Sequence, residues 1–229
     1  MSEIFQKIYD CLDGKFPINT QSQYKAIVDT YNINNFYKDV PKETSPIHYS
    51  FELDDFQKRA VYRITQFQNV FIAAHTSSGK TLAAEWAIAQ SLQFNKNVIY
   101  TSPIKALSNQ KYRDFKDKFN TEQYLTEYSD DNVGIITGAV QVHKTAKCLV
   151  MTTEILRNMI YKADPYLNDV DWIVFDEIHY MNDNERGRIW EEIIQMAPRH
   201  ISMVFLSATT PNAIEFSNWV AKIRCRNVY

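Results

Sequence analysis

Six short apolar runs, each followed by small polar or acidic residues, constrain the fold of this chain more than any other feature. Their wealth of β-branched and aromatic residues is typical of strands buried on both faces of a sheet. In chain order the runs are VFIAA, NVIY, VGII, CLVM, WIVF and SMVFL. Helical patterns follow most of them, over residues 80–94, 103–119, 153–162, 185–197 and 211–222. This alternation predicts an α/β fold with a doubly wound, mostly parallel sheet and helices on both faces.

The first 45 residues lack this alternation. The spacing of their apolar residues predicts helices over residues 2–14 and 20–31, and prolines then mark an extended linker. We therefore predict a short helical extension and linker over residues 1–45 and a single domain over residues 46–229.

The apolar runs, the cysteines and the net charge limit the partners and sites that are expected for this chain. No apolar run approaches the roughly 18–20 residues that span a bilayer, so no membrane partner is expected. The three cysteines, Cys11, Cys148 and Cys225, are far apart and form no C-x-x-C pair, which favours free thiols over disulfides or a metal site. The net charge is −2, from 25 basic and 27 acidic residues. Any contact with nucleic acid would therefore depend on local groups, because the chain has no overall positive field.

The stretch VFIAAHTSSGKT, residues 70–81, predicts a phosphate-binding loop between a strand and a helix. Ala74 replaces the first glycine of the pattern G-x-x-x-x-G-K-[ST], but it belongs to the strand end and need not block the loop. Gly79 allows the backbone to approach a phosphate closely. We expect Lys80 to reach the β- and γ-phosphates and the Thr81 hydroxyl to ligate Mg²⁺.

The stretch WIVFDEIH supplies two carboxylates at the end of another apolar run. Asp176 would be costly to bury alone and is compensated if it faces Mg²⁺. Glu177 is placed to polarise or deprotonate an attacking water molecule. Together with the phosphate loop, this acidic pair predicts hydrolysis of a nucleoside triphosphate. His179, taken alone, would be interpreted as a core histidine.

Five stretches then identify a family. The stretches occur in the order seen in superfamily 2 DExH-box RNA helicases: AHTSSGKT, TSPIKALSNQK, MTTEIL, DEIHY and LSATTPN. Their residues resemble those of the superkiller branch, which delivers RNA to the exosome. The resemblance runs from about residue 35 to the C-terminus. It implies a RecA-like fold, ATP and Mg²⁺ as cofactors, the RNA backbone as partner, and catalytic roles for Lys80, Asp176 and Glu177.

The resemblance also assigns individual residues. FELDDFQ is similar to the adenine-recognition stretch, which implies that Gln57 reads the base and Phe51 stacks nearby. The residues implied to hold the nucleotide phosphates are His75, Thr76, Ser77, Ser78, Gly79, Lys80 and Thr81. Those implied to contact the RNA backbone, mainly from helix N-termini, are Ser102, Pro103, Lys105, Asn109, Gln110, Thr152, Thr153 and Glu154. Those implied to couple hydrolysis to RNA movement are His179, Ser207 and Thr209.

Two positions depart from the family pattern. Ala139 stands where the family has the aspartate of TGD, so that role is not transferred, and Ser78 replaces an alanine. Other functions stay open. A nucleotide switch or a kinase would share the phosphate loop, a catalytically silent RNA- or partner-binding module would keep the fold, and DNA offers the same kind of backbone.

The strand and helix pattern ends at Tyr229, soon after SATTPN. We therefore expect the first motor lobe of a longer enzyme, nearly inactive alone. A second RecA-like lobe of the same protein and exosome-associated proteins are its expected partners. Within the superkiller branch, small sequence differences favour a cytoplasmic protein, and a nuclear protein is the alternative.

Overall fold

The computed structural model describes residues 23–121, 123–124, 131–138, 140–182, 184–208 and 212–229. The strands are β1 (Val70–Ala73), β2 (Asn97–Ser102), β3 (Val133–Ile136), β4 (Gln141–Val142), β5 (Cys148–Thr152), β6 (Val170–Phe175) and β7 (Ser202–Ser207). They form one seven-stranded sheet in the order β1-β7-β6-β2-β5-β3-β4. Every neighbouring pair is parallel except β3 and β4. The predicted mostly parallel, RecA-like sheet is confirmed.

The α-helices are α1 (Phe36–Asp39), α2 (Asp55–Thr65), α3 (Thr81–Gln93), α4 (Lys105–Phe119), α5 (Thr153–Tyr161), α6 (Asn184–Met196) and α7 (Ala213–Arg224). Five of them, α3 to α7, match the predicted helical stretches to within two residues at each end. Helices α1 and α2 and strand β4 are not predicted from the sequence. None of the helices described is long and apolar enough to cross a membrane.

Helices cover both faces of the sheet and bury two apolar cores. The first core lies under α2, α3 and α4 and contains Trp86 and Phe115. The second lies under α5, α6 and α7 and contains Trp190 and Val220. Successive residues of the central strands contribute to the two cores in turn, because side chains alternate across a strand. This double burial explains why the strands are continuous apolar runs in the sequence.

The predicted helix over residues 20–31 is wrong for the part that the structure describes. Residues 24–32 are not helical, and Ala26 forms a parallel bridge with Val228. The backbone of this segment is satisfied by pairing at the sheet edge, and this pairing overrides the helical apolar spacing. The helical part of the extension comes later, as short turns at Ile33–Asn35, Phe36–Asp39 and Lys42–Thr44. The predicted helix over residues 2–14 lies outside the described residues.

The extension packs against α2. Arg63 donates two hydrogen bonds to the carboxylate of Asp29, at 3.0 and 2.8 Å. Tyr31 stacks on Tyr62 with ring centroids 3.7 Å apart, and Phe36 is 2% exposed. Tyr31, Phe36 and Val40 therefore share the first apolar core with α2, whereas Tyr24 packs against the second core.

Candidate nucleotide and nucleic-acid site

Most of the predicted functional residues lie at the carboxyl ends of the parallel strands; Phe51 and Gln57 lie before and on α2. We define the phosphate half of this rim as residues 74–81, 176–179 and 207, which follow or end β1, β6 and β7. We define the backbone half as residues 102–110, 137–138 and 152–154, at the ends of β2, β3 and β5. Because parallel strands lie roughly 4.8 Å apart, the two halves adjoin where β6 pairs with β2.

Lys80 is folded back into its own loop. Its side chain is 7% exposed, and Nζ donates hydrogen bonds to the carbonyl oxygens of Ala74 at 2.5 Å and His75 at 2.9 Å. The N–H and the hydroxyl of Ser78 also donate to the His75 carbonyl, at 3.1 and 2.7 Å. The loop residues His75, Thr76, Ser77 and Gly79 are exposed. Most residues of the loop are therefore exposed to solvent, whereas the ammonium group of Lys80 is buried inside the loop.

Gly79 has φ +79°, a conformation that other residues rarely adopt. A Cβ atom at this position would lie 2.5 Å from Nε2 of Gln57. Gln57 Nε2 donates to the carbonyl of Gly79 at 3.4 Å, and Gln57 Oε1 accepts the N–H of Asp54 at 2.9 Å in the capping box of α2. The predicted base-reading residue therefore supports the phosphate loop. Phe51 is 55% exposed, and its ring centroid lies 5.4 Å from that of Tyr49, at an interplanar angle of 50°.

Helix α3 begins at Thr81, directly after the loop, so its first N–H groups open toward it. Its first turn carries no acidic residue, which leaves the positive end of the helix dipole uncompensated and suited to an anion. The hydroxyl of Thr81 accepts a hydrogen bond from Nζ of Lys111, on α4, at 3.2 Å. A second lysine that the sequence analysis did not single out thus lies beside the loop.

Asp176 is 7% exposed and has a donor on each carboxylate oxygen. The phenol O–H of Tyr100 donates to Oδ2, and the N–H of Glu177 donates to Oδ1 at 3.0 Å. Burial and the neighbouring Asp176 carboxylate raise the pKa of Tyr100 well above its usual value, so the phenol stays protonated. Glu177 has φ +52°, and its Oε2 lies 3.3 Å from Nδ1 of His179.

These residues fit a magnesium nucleotide. A hydroxyl and a carboxylate are the hard oxygen ligands that Mg²⁺ takes, usually together with phosphate oxygens. The ends of β1 and β6 are two strand positions apart, about 10 Å, which leaves room for phosphates between them. No group of three or more His, Cys, Asp or Glu side chains that could hold a metal ion occurs among the described residues. Phosphate oxygens would therefore complete the metal coordination.

In the backbone half, the hydroxylic residues bond inside the protein. Ser102 is fully buried, and its Oγ lies 2.8 Å from Oγ of Ser108. The Thr153 hydroxyl donates to the carbonyl of Ser102 at 3.4 Å, and Thr152 is 4% exposed. Pro103 is also buried. These residues fix the starts of α4 and α5 next to each other.

The exposed polar side chains of the backbone half are those of Lys105, Asn109 and Gln110, on the first turns of α4. Lys105 also lies beside the end of β3, because a Cβ atom on Gly138 would be 3.6 Å from its Nζ. Glu154 is half-buried at the start of α5. The start of α4 and the end of β3 therefore meet at Lys105.

Of the predicted coupling residues, His179 and Ser207 lie in the phosphate half. Ser207 ends β7, and its carbonyl accepts the N–H of Ala74 at 3.1 Å. Thr209 lies outside the described residues, as does Ala139. An apolar cleft of about 320 Å³ lies on the outer side of β1, lined by residues such as Phe56 and Val228. It contains none of the predicted site residues.

Comparison with known proteins is consistent with this geometry. The antiviral helicase SKI2 of Saccharomyces cerevisiae is 47% identical over 213 residues, which cover 93% of this chain and 16% of that protein. The ATP-dependent RNA helicase mtr4 of Schizosaccharomyces pombe is 49% identical over 203 residues (86% and 17%). DExH9 of Arabidopsis thaliana, a DExH-box ATP-dependent RNA helicase, is 53% identical over 184 residues (79% and 18%). The chain thus spans less than a fifth of the length of these relatives.

The fold has a solved counterpart in the DUF1998 helicase MrfA bound to DNA and AMPPNP, with a TM-score of 0.65. The likeness covers 90% of this chain and 30% of that one at 14% identity, and therefore concerns the fold alone. The family model for DEAD/DEAH box helicases matches residues 54–216, which include both halves of the rim. The chain belongs to the DEAD/DEAH box helicase family.

Proposed function

We propose that this chain is the ATP-binding lobe of an ATP-dependent RNA helicase that couples hydrolysis of Mg-ATP to movement along RNA. One observation carries the proposal. A phosphate loop with a buried lysine and a buried carboxylate lies on the same rim as the starts of α4 and α5, of which α4 carries exposed donors, and the two sets adjoin at β6 and β2. Hydrolysis and backbone binding would then share one rigid sheet.

In the phosphate half, the chain's own residues would divide the work. Lys80 would exchange its bonds to the Ala74 and His75 carbonyls for bonds to phosphate oxygens, which it can do because ammonium donors rotate freely. Thr81 and Asp176 would hold Mg²⁺, which neutralises charge on the phosphates when bound. Glu177 would orient and deprotonate the attacking water, with His179 beside it.

The backbone half would bind nucleic acid independently of its base sequence. Lys105, Asn109 and Gln110 offer donors at the exposed start of α4, and α5 offers its first N–H groups. These local groups can grip a backbone although the net charge of the chain is −2. RNA is favoured over DNA because relatives such as mtr4 and DExH9 are RNA helicases by name.

Two further parts of the proposal, a second lobe and delivery of RNA to the exosome, concern the whole protein. A second RecA-like lobe would supply arginines that stabilise the transferring phosphate, an effect of roughly 10³–10⁵ in rate. We propose that the protein delivers RNA to the exosome for decay in the 3′–5′ direction, in the cytoplasm. This part rests on the similarity to SKI2 and mtr4.

The test is steady-state ATP hydrolysis, with and without single-stranded RNA, by a protein that carries this lobe together with the proposed second lobe. We expect RNA to raise the rate at least tenfold and inorganic phosphate to be the product. A double change of Asn109→Ala and Gln110→Ala should raise the RNA concentration needed for half-stimulation and leave the rate without RNA unchanged. A matched pair on the same helix, Lys116→Ala and Lys118→Ala, is the control.

Other outcomes would point to other functions. A phosphorylated small molecule as product would indicate a kinase. Binding of RNA without any hydrolysis by the two-lobe protein would indicate a silent binding module. Equal stimulation by single-stranded DNA would contradict the assignment of RNA as the substrate.

A further inference from the structure

Tyr100 and Asp176 face each other at the border between the two halves of the rim. Tyr100, on β2, lies opposite Val174 on β6 in the parallel register. Asp176 is two residues beyond Val174, so its side chain lies on the same face of the sheet and one step nearer the rim. The phenol O–H of Tyr100 reaches up to Oδ2 of Asp176 within the protein interior.

Both partners are held in place. The ring of Tyr100 is fully buried and packs edge-to-face on Phe115 of α4, with ring centroids 5.0 Å apart and planes at 78°. Phe115 is itself 1% exposed. The phenol therefore cannot turn away from Asp176 unless the packing of α4 against the sheet changes.

The carboxylate of Asp176 is fixed from two sides. Oδ2 accepts the Tyr100 phenol, and Oδ1 accepts the N–H of Glu177 at 3.0 Å. With one donor on each oxygen, the plane of the carboxylate is set, and one lone pair on each oxygen remains for a metal ion. A metal ligand whose second oxygen is hydrogen-bonded in this way is pre-oriented for its ion.

We propose that Tyr100 is a positioning residue for magnesium, because its phenol fixes the orientation in which Asp176 meets the ion of a bound nucleotide. This inference rests on the proposed function. Partners of metal ligands typically change metal affinity by about 10- to 100-fold when they are removed. Tyr100 also joins Asp176 to α4, the helix whose first turns carry Lys105 and Asn109.

The variant Tyr100→Phe removes only the hydroxyl. Tyr166→Phe is the matched control, because Tyr166 is also a largely buried tyrosine whose hydroxyl donates inside the protein, to the carbonyls of Ala146 at 2.8 Å and Lys147 at 3.2 Å. Binding of ADP to the 229-residue chain is measured by calorimetry over a range of Mg²⁺ concentrations. Thermal unfolding of both variants shows whether each is folded at the temperature of the titration.

We expect Tyr100→Phe to raise the Mg²⁺ concentration for half-maximal enhancement of ADP binding about tenfold, and to leave ADP affinity without Mg²⁺ unchanged. Tyr166→Phe should leave both quantities unchanged. If Tyr100 acts through Asp176, then Tyr100→Phe should have no further effect on the Mg²⁺ dependence in an Asp176→Asn background.

The outcomes separate this inference from the proposed function. A parent chain that binds ADP in a Mg²⁺-dependent manner, together with an unchanged Mg²⁺ dependence in Tyr100→Phe, overturns the role of Tyr100 and leaves the proposed function intact. An equal loss of ADP affinity with and without Mg²⁺ also overturns it, because that loss indicates a general packing effect. A folded parent that binds no ADP at any Mg²⁺ concentration contradicts the proposed function itself.

Discussion

The two halves of the rim are built in opposite ways. In the phosphate half, Lys80 and Asp176 are each 7% exposed, and both are hydrogen-bonded within the protein before any ligand arrives. In the backbone half, the hydroxyl groups of Ser102 and Thr153 are buried as supports, and the groups that face outward are those of Lys105, Asn109 and Gln110. The sheet thus places the buried charged groups of the phosphate half beside the exposed hydrogen-bond donors of the backbone half.

This difference matches the roles that we propose for the two halves. Stabilising charge during phosphoryl transfer requires preorganised groups in a site that excludes water, because reorganisation is then avoided. Holding a nucleic-acid backbone without reading its sequence requires only exposed donors at a suitable spacing. We therefore expect substitutions in the phosphate half to have large, specific effects and those in the backbone half to have small, graded ones.

The largest expected effect is that of Glu177→Gln in a protein that also carries the second lobe. Loss of the proposed general base should reduce the rate of ATP hydrolysis by about 100-fold or more and leave ADP binding nearly unchanged. Glu215→Gln, at an exposed position on α7, is the control and should keep the parent rate. Normal turnover by the Glu177 variant would show that another group activates the water.

Gly79 and Gly138 allow a direct comparison of the two halves. Gly79→Ala should cost about 1–3 kcal/mol in the free energy of unfolding and weaken ADP binding, because φ is +79° and the new methyl would lie 2.5 Å from Gln57 Nε2. Gly138→Ala should be close to neutral, because its nearest neighbour would be Nζ of Lys105 at 3.6 Å. Urea denaturation measures both. Equal costs at the two positions would contradict the difference described between the halves.

In the backbone half, Lys105→Ala should weaken binding of single-stranded RNA several-fold. It should also lower the slope of log K against log salt by about 0.7, the value for one phosphate contact on a single strand. Lys118→Ala is the matched control on the same helix, because Lys118 is paired with Glu85 at 2.5 Å. An unchanged slope for Lys105→Ala would remove this residue from the interface.

The smallest expected effect is that of Ala74→Gly, which restores the first glycine of the phosphate-loop pattern. ADP affinity should change less than about twofold, or about 0.4 kcal/mol. The reason is that the N–H of Ala74 is already bonded to the Ser207 carbonyl, so the residue continues the strand and leaves the loop unblocked. A gain of tenfold by calorimetry would show that the methyl group does obstruct the cradle.

The sequence was sufficient to predict the sheet and the location of the loop, because strands buried on both faces are continuous apolar runs. It was misleading at the N-terminal side. Residues 24–32 have helical spacing, but their partner is Val228, about 200 residues away, and no local pattern encodes that pairing. Helix α2 is not predicted although Asp54 and Gln57 form a capping box, because that stretch is interpreted as a base-recognition motif. Strand β4 is only two residues long and has no detectable period.

The roles of Tyr100 and Lys111 could not be predicted for a different reason. Tyr100 is one apolar residue in a strand, and only the register between β2 and β6 brings its hydroxyl to Asp176. Lys111 directly follows a predicted RNA-contacting residue, but the turn of the helix directs it to Thr81 instead. Contacts that depend on pairing between distant elements are not encoded in local spacing.

The central claim is that the phosphate half holds a nucleotide through Lys80. Its most direct test is calorimetric titration of the chain with Mg-ADP, for the parent, Lys80→Ala and Lys96→Ala. Lys96 is the control because it lies at the opposite end of β2, 3.2 Å from Asp169. We expect the parent and Lys96→Ala to bind equally and Lys80→Ala to bind at least tenfold more weakly. Equal binding by all three proteins, or no binding by a folded parent, would contradict the account.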